Sequence, residues 1–197
     1  FSRSFYFYYI SLLNIDTINN RTFPLPEHSK SVLKNLISEM EFPKDSIIIK
    51  AGKVEKTMYF IKKGIVRAFV PQENQDVTFW FGKEGDVALP MKSYVGNDNN
   101  YENIHLLEDS VLYQLEISAL RELFETDIHI ANWGRKLAEK ELVKTEELFI
   151  SRQFGTASQR YRELLREQPE IMQRVQLGYN ASFLGITQVS LSRIRVE

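Results

Sequence analysis

The chain contains no cysteine. That removes disulfides, thiolate nucleophiles, iron–sulfur clusters and cysteine-based zinc sites together, and it fits a cytoplasmic protein. Long apolar runs are missing as well: none reaches the ~18 residues needed to span a bilayer, and no membrane partner is expected. FYFYYISLL (5–13) is apolar but short, and it lacks the small-residue cleavage pattern of a signal peptide. There is no phosphate-binding glycine loop, no His-Glu-x-x-His and no Gly-x-Ser-x-Gly. Paired acids such as Glu146–Glu147 are explained by solvation of a helix face. An enzyme is therefore not expected, nor a metal site, nor a bound cofactor. The three histidines, His28, His105 and His129, stand in unrelated contexts and read as surface or strand residues rather than haem ligands. The first residue is Phe1 rather than Met, which points to residues missing before it.

What is present suits a soluble globular protein. The chain has 197 residues, 43% hydrophobic and 26% charged, enough for one large domain or two small ones. The net charge of −1 hides an asymmetry. Residues 151–197 hold seven arginines, no lysine and four glutamates, a net +3, whereas the remainder carries 18 basic and 22 acidic residues, a net −4. A basic C-terminal segment on an acidic body points to nucleic acid.

Periodicity divides the chain. SKSVLKNLISEME (29–41) has helical spacing, with Ser29 as candidate N-cap. From 42 to 115 the runs SIIIKAG (46–52), MYFIKKGIVRAFV (58–70), DVTFWFG (76–82) and SVLYQL (110–115) are short, β-branched or aromatic, and separated by turn residues. They predict an antiparallel sandwich or small barrel. KSYVGNDNNYENI (92–104) reads as a loop. ISALRELFE (117–125) is a short helix. A longer one follows over 128–152, with its stripe at Ile130, Trp133, Gly134, Leu137, Ala138, Leu142, Thr145, Leu148 and Phe149. This rod, about 37 Å long, either packs along its own domain or forms a dimer seam. The seam is favoured because the stripe runs past any local partner. QFGTASQ (153–159) breaks the rod as a hinge and a new cap, and SQRYRELLRE (158–167) is a further helix. The expected domains are a sensor roll with flanking helices (1–127), a dimerisation helix (128–152) and a helical DNA-binding domain (153–197).

The last stretch, ASFLGITQVSLSRIR (181–195), reads as a helix-turn-helix. Ala181 permits a close helix crossing, Gly185 supplies the turn, Thr187 caps the second helix, and Ile186, Leu191 and Ile194 face inward. Val189, Ser192, Arg193 and Val196 then point outward, with Gln188, Ser190 and Arg195 on the flanks. Gln188 is suited to adenine, Arg193 to guanine and Val189 to a thymine methyl, while Thr187 and Ser190 are suited to phosphate. Asn180 falls where such motifs carry Ile or Leu. Either it finds a polar partner or the first helix is weakened.

In this order, the β region with AGKVEKTMYFIKKGIVRAF (51–69) and EGD (84–86), the long helix, the hinge and ASFLGITQVSLSRIR resemble the Crp/Fnr family of bacterial transcription regulators over about residues 29–197. LGIT and LSRIR look most like members from the Bacteroidetes. The resemblance implies an α+β fold: an N-terminal antiparallel β-roll like the cyclic-nucleotide-binding domain, a dimerisation helix and a C-terminal winged-helix-like domain. It implies a homodimer on a near-palindromic duplex, with RNA polymerase as a further partner and Gln188, Val189 and Arg193 as base-reading positions. Family members have more recognition helix and often a wing hairpin. A truncated chain, an unseen tail and a wingless protein all remain open.

One part of the pattern is absent. Cyclic-nucleotide-binding members carry Gly-Glu shortly after the Gly-Asp turn, then Arg-Ser/Thr-Ala. Here Leu89 and Pro90 occupy the Gly-Glu slot, or Asp86 replaces the glutamate in a second alignment. Neither alignment supplies the arginine, and residues 99–112 contain no Arg or Lys. Without that cation a buried phosphate loses a charge-assisted hydrogen bond of ~1.5–3 kcal/mol, so cyclic AMP is not expected to bind in the usual mode. Candidate positions for an unknown small-molecule effector are Asp86, Lys92, Tyr94, Tyr101 and His105. The roll could equally be only a dimer and hinge scaffold. The rival functional reading is a ligand- or partner-binding dimer whose helix-turn-helix has decayed.

Overall fold

The computed structural model describes residues 14–73 and 75–196. The stretch 5–13 and Glu197 lie outside the described residues. Two helices open the described chain, α1 (Ile15–Thr22) and α2 (Glu27–Asn35). Eight strands follow: β1 (Ile37–Phe42), β2 (Ile47–Ile49), β3 (Thr57–Lys63), β4 (Val66–Val70), β5 (Val77–Gly82), β6 (Val87–Ala88), β7 (Asn103–Leu106) and β8 (Ser110–Glu116). They form two antiparallel sheets of four strands, ordered β1-β8-β3-β6 and β2-β7-β4-β5. Short helix α3 (Met91–Gly96) sits between β6 and β7. The C-terminal half is helical: α4 (Ile117–Thr126), α5 (Ile128–Phe154), α6 (Ala157–Glu167), α7 (Pro169–Arg174), α8 (Leu177–Leu184) and α9 (Gln188–Ile194). Among the described residues no helix is long and apolar enough to cross a membrane.

The β-roll is as expected, but two segments differ from the sequence reading. The helix over 29–41 stops at Asn35. Pro26 rather than Ser29 is its N-cap, and Ser29 is buried inside the helix. Residues 37–42 are a strand because β8 offers them a complete ladder, from Ile37 opposite Leu115 to Phe42 opposite Ser110. That pairing outweighs a helical preference of tenths of a kcal/mol per residue. The loop assigned to 92–104 contains most of α3 and the start of β7. Between them Asn100 is buried, its amide held by Ser93 Oγ at 2.8 Å and its side-chain oxygen accepting from Ser93 N.

Three cores hold the molecule. One joins α1, α2, α4 and the first half of α5 to the β1-β8-β3 sheet, and a second fills the roll between the sheets. The third is shared: Ile65 and Phe81 of the roll pack with Leu164, Ile171, Ala181, Leu184 and Leu191 of the C-terminal helices.

The stripe on α5 is divided between two environments. Ile130, Trp133, Gly134 and Leu137 are buried in the protomer's own core, so these four are not seam residues. Trp133 packs on Phe60 at 6.1 Å between ring centres, and its ring N–H donates to the Asn19 carbonyl at 3.3 Å. Beyond Leu137 the stripe leaves the core, although Lys144 and Arg152 of the same helix still reach Asp86 and Thr78 of the roll. Ala138, Leu142, Thr145 and Phe149 are exposed, Leu142 at 69% and Phe149 at 64%, with Leu148 half-buried. Truncating the fully buried ring should be costly. Trp133→Ala should lose about 3–5 kcal/mol, read as a lowered urea midpoint; a loss below about 1 kcal/mol would contradict this packing.

Candidate nucleic-acid interface and sensor cavity

The C-terminal pair α8–α9 is set by local chemistry. Gly185 ends α8 at φ +67, a left-handed conformation that glycine adopts without a Cβ clash. Ile186 N–H reaches back to the Ala181 carbonyl at 3.0 Å, closing the α8 end in a Schellman motif. Thr187 then caps α9, its hydroxyl accepting from Ser190 N at 3.1 Å. Leu191, Leu184 and Ala181 are buried between the helices, and Ile186 packs on them. Ile194 is only partly covered.

That packing fixes what faces solvent. Thr187, Gln188, Val189, Ser192, Arg193, Arg195 and Val196 are exposed, Val189 at 62%, and Ser190 is half-buried. Among the described residues neither Arg193 nor Arg195 has an ion-pair partner. The first turn of α9 therefore presents an amide, an isopropyl group and hydroxyls, and its last turn two cations. Asn180 finds a polar partner for one of its two groups. Its amide N–H donates to the Val175 carbonyl at 3.0 Å, while Oδ1 is buried without a partner.

The sequence missed how firmly this pair is seated on the roll. Strand β5 is a sheet edge, and Thr78 on it presents an outward N–H and carbonyl. Ser182 Oγ accepts from Thr78 N at 2.9 Å and donates to the Asp76 carbonyl at 3.0 Å, and Arg152 donates to the Thr78 carbonyl at 3.1 Å. The edge is covered rather than left open. Arg67 of β4 is 3% exposed. It donates to Thr78 Oγ1 at 2.7 Å and stands 4.2 Å from the Phe69 ring centre and 4.1 Å from that of Tyr179. Burial lowers its pKa against the opposing charge of Asp76. The one signal for this residue was an arginine inside the apolar run IVRAFV. Arg174 of α7 is held by Glu84 at 2.9 Å and also pairs with Glu108.

Of the five proposed effector positions, Lys92 and Tyr101 meet and the other three lie apart. Asp86 lines a cavity of about 370 Å³ with Phe60, Leu137, Lys140 and Lys144; its side chain accepts from Lys83 N at 3.0 Å and lies 3.4 Å from Lys144 Nζ. Lys92 stands over the Tyr101 ring at 5.9 Å, away from that cavity. Tyr94 packs on the first core, and burial raises its phenol pKa. His105 faces Asp45 at 3.2 Å and the edge of Tyr179. Around α3, Pro90 is its N-cap and Leu89 packs on the core. Arg121 is spent on the carbonyls of Ser93 and Tyr94, at 3.0 and 2.6 Å, and so is not free to pair with a phosphate. Glu102 is buried and its carboxyl pKa is raised by desolvation.

Residues 39–127 match the family model of the cyclic nucleotide-binding domain. Solved structures similar to the chain include FixK2 from Bradyrhizobium japonicum, with 18% identity, 81% of this chain and 83% of that one covered, and a TM-score of 0.71. A putative Crp/Fnr-family transcriptional regulator from Eubacterium rectale shows 16% identity, 88% and 85% coverage and a TM-score of 0.68. The c-di-GMP-responsive global regulator CLP from Xanthomonas campestris shows 16%, 86%, 89% and 0.67. A search of curated sequences finds no match.

The Glu84–Arg174 contact should make the docking of α7 sensitive to acid. Burial of Glu84 raises its pKa, but the Arg174 hydrogen bond, the Gly64 N–H and the Arg174 charge outweigh it, so the folded pKa lies below the ordinary value. The stabilisation is then full above the unfolded pKa near 4.3 and is lost as pH falls through the folded value. Arg174→Gln should cost about 1.5–3 kcal/mol at neutral pH and flatten the acid side of a urea-midpoint-against-pH curve. An unchanged curve would show that the pair contributes nothing. Over residues 14–73 and 75–196, then, the chain has a cyclic-nucleotide-binding-type roll followed by a long helix and a helical end, the fold of Crp/Fnr-type regulators.

Proposed function

We propose that the chain is a sequence-specific, double-stranded-DNA-binding transcription regulator that works as a homodimer. The observation that carries this reading is α9, anchored by Leu191 and the Thr187 cap, which turns Gln188, Val189, Ser192 and Arg193 outward together. Such a helix fits the major groove with its N-terminal turn on base edges. Gln188 pairs with adenine, Val189 meets a thymine methyl and Arg193 takes guanine or phosphate. Thr187, Ser190 and Arg195 anchor the backbone. The free half of the α5 stripe, Ala138, Leu142, Thr145, Leu148 and Phe149, supports pairing with a second copy, which places two α9 helices about 34 Å apart on one DNA face. RNA polymerase is the further partner of a regulator of this kind. No cofactor belongs to this reading. The lining around α3 supports an effector other than cyclic AMP in its usual mode.

The buried, unpartnered Oδ1 of Asn180 favours a second reading, in which the α8–α9 pair has lost its DNA affinity and the roll and dimer are kept for a small molecule or protein partner.

Selection from a random duplex library separates the two. A two-fold symmetric site should emerge with the wild type and vanish with Arg193→Ala. Its affinity should fall steeply between 50 and 200 mM salt, as expected when phosphate contacts dominate. Selection of nothing, with and without added cell metabolites, would leave the second reading. For the seam, Leu142→Glu with Phe149→Glu should shift sedimentation from dimer to monomer and leave the circular dichroism spectrum unchanged. A wild type that is monomeric at micromolar concentration would remove the dimer from the proposal.

A further inference from the structure

A cleft of about 990 Å³ lies where the second half of α5, the start of α6 and the tip of α8 meet β5. Three aromatic residues line it: Phe81 and Phe183, 5.2 Å apart between ring centres, and Trp80, which alternates to the other face of β5 and packs against the core of the roll. The Trp80 indole lies flat against Gly82, where any Cβ would fall 2.2 Å from the ring, so its position is set by the backbone beneath it.

The same cleft is lined by Arg152, whose guanidinium stands 5.2 Å from the centre of the Phe183 ring, and by Arg160, and neither meets a carboxylate among the described residues. Their donors go to neutral carbonyls. Arg152 reaches Thr78 and Phe183 at 3.1 and 3.0 Å, and Arg160 reaches Leu184 at 2.9 Å and Gly155 at 2.5 Å. Arg152 Nε is buried with no acceptor. Burial, then the neighbouring Arg160 cation, pushes the Arg152 pKa down. Two guanidiniums are thus held together in a half-buried place at an electrostatic cost that a carboxylate would normally relieve. Four acids also line the cleft, none of them paired with Arg152 or Arg160: Asp86 faces Lys144, Glu163 accepts from the Ser151 hydroxyl, Glu167 pairs with Arg166, and Glu147 is exposed. The first turn of α6 adds the positive end of a helix dipole along the same edge, through Gly155 and Gln159.

We propose that this cleft binds a small anionic aromatic molecule, its acid group on Arg152 and Arg160 and its ring on the Trp80 edge of the cleft. The site adjoins the 370 Å³ cavity, with which it shares Lys83, Asp86 and Lys144, and is separate from the α3 region of the roll. It rests on the cleft alone and does not require the DNA reading. An occupant there touches the roll, the long helix and the end of α8 at once.

Two dyes of nearly equal shape test it: 8-anilinonaphthalene-1-sulfonate, which is anionic, and N-phenyl-1-naphthylamine, which is neutral. The wild type should bind the sulfonate saturably, at one per chain, and at least about tenfold more tightly than the neutral dye, the range of a charge-assisted hydrogen bond. Tryptophan-to-dye energy transfer should drop sharply in Trp80→Phe, which locates the dye. Arg152→Gln and, separately, Arg160→Gln should weaken the sulfonate about tenfold and leave the neutral dye within about twofold, while Arg152→Lys retains most of the affinity. If either glutamine variant loses the native circular dichroism spectrum, the two-dye comparison on the wild type still decides. Equal affinity of the two dyes, transfer that survives Trp80→Phe, sulfonate affinity indifferent to both folded glutamine variants, or no binding of either dye would each overturn the proposal. None of these outcomes depends on whether the protein binds DNA.

Discussion

The C-terminal helices and the β-roll share a core, and most of what the molecule can do depends on that. Phe81 and Ile65 come from the roll, yet their apolar surface is covered by α6, α7 and α8 rather than by the opposing sheet. Around this apolar centre the contacts are polar and directional: the Ser182 hydroxyl on edge strand β5, Arg67 against the rings of Phe69 and Tyr179, and Arg174 between Glu84 and Glu108. The mixture matters. A purely apolar contact could slide, whereas these hydrogen bonds hold one relative placement of α8 and therefore of α9. Each of them starts from the β4–β5 hairpin or the turns at 83–86 and 107–109.

The long helix is divided by the same geometry. Its first three turns are spent on the protomer, with Trp133 against Phe60 and hydrogen-bonded to Asn19. Past Leu137 the stripe leaves the core, and its apolar side chains are exposed except for half-buried Leu148. Two structural duties are thus written into one continuous 3.6-residue stripe. Periodicity alone cannot separate them, because the stripe does not change where the roll ends. Only the reach of the sheet decides which residues are core and which are surface.

This is also where the sequence was legible and where it was not. Gly185, Thr187 and Leu191 act within six residues of one another, so their roles as turn, cap and anchor could be read directly and are found in place. The four apolar runs placed in strands are strands for the same local reason. Strands β1 and β7 escaped because the ladders that define them join residues about 40 to 80 positions apart, such as Ile37 with Leu115 and Arg67 with His105. The effector positions are less legible. Asp86, Lys92, Tyr94, Tyr101 and His105 are close in sequence, yet only Lys92 and Tyr101 meet, while Asp86 lines the cavity beside Lys144, Tyr94 packs on the core and His105 faces Asp45. Arg152 and Arg160 could not be recognised at all from the sequence. An arginine on a helix is ordinary, and what sets these two apart is that, among the described residues, none of the acids in the same cleft pairs with either of them.

The two unbalanced features of the molecule lie at opposite ends of one rigid path. At one end α9 shows Arg193 and Arg195 to solvent with no ion-pair partner among the described residues. At the other the interdomain cleft holds Arg152 and Arg160, which pair with no carboxylate among the described residues. Between them run α8, whose last carbonyls at Phe183 and Leu184 are held by those two cleft arginines, and the Gly185 turn. Any anion that draws Arg152 or Arg160 towards itself competes directly with those carbonyls, because a guanidinium has a fixed fork of donors. The end of α8 would then be loosened or re-aimed at the residue where α9 begins. Coupling between a ligand in the cleft and a duplex on α9 needs no motion of the roll. It needs only that the same two side chains serve both as the α8 clamp and as the anion site.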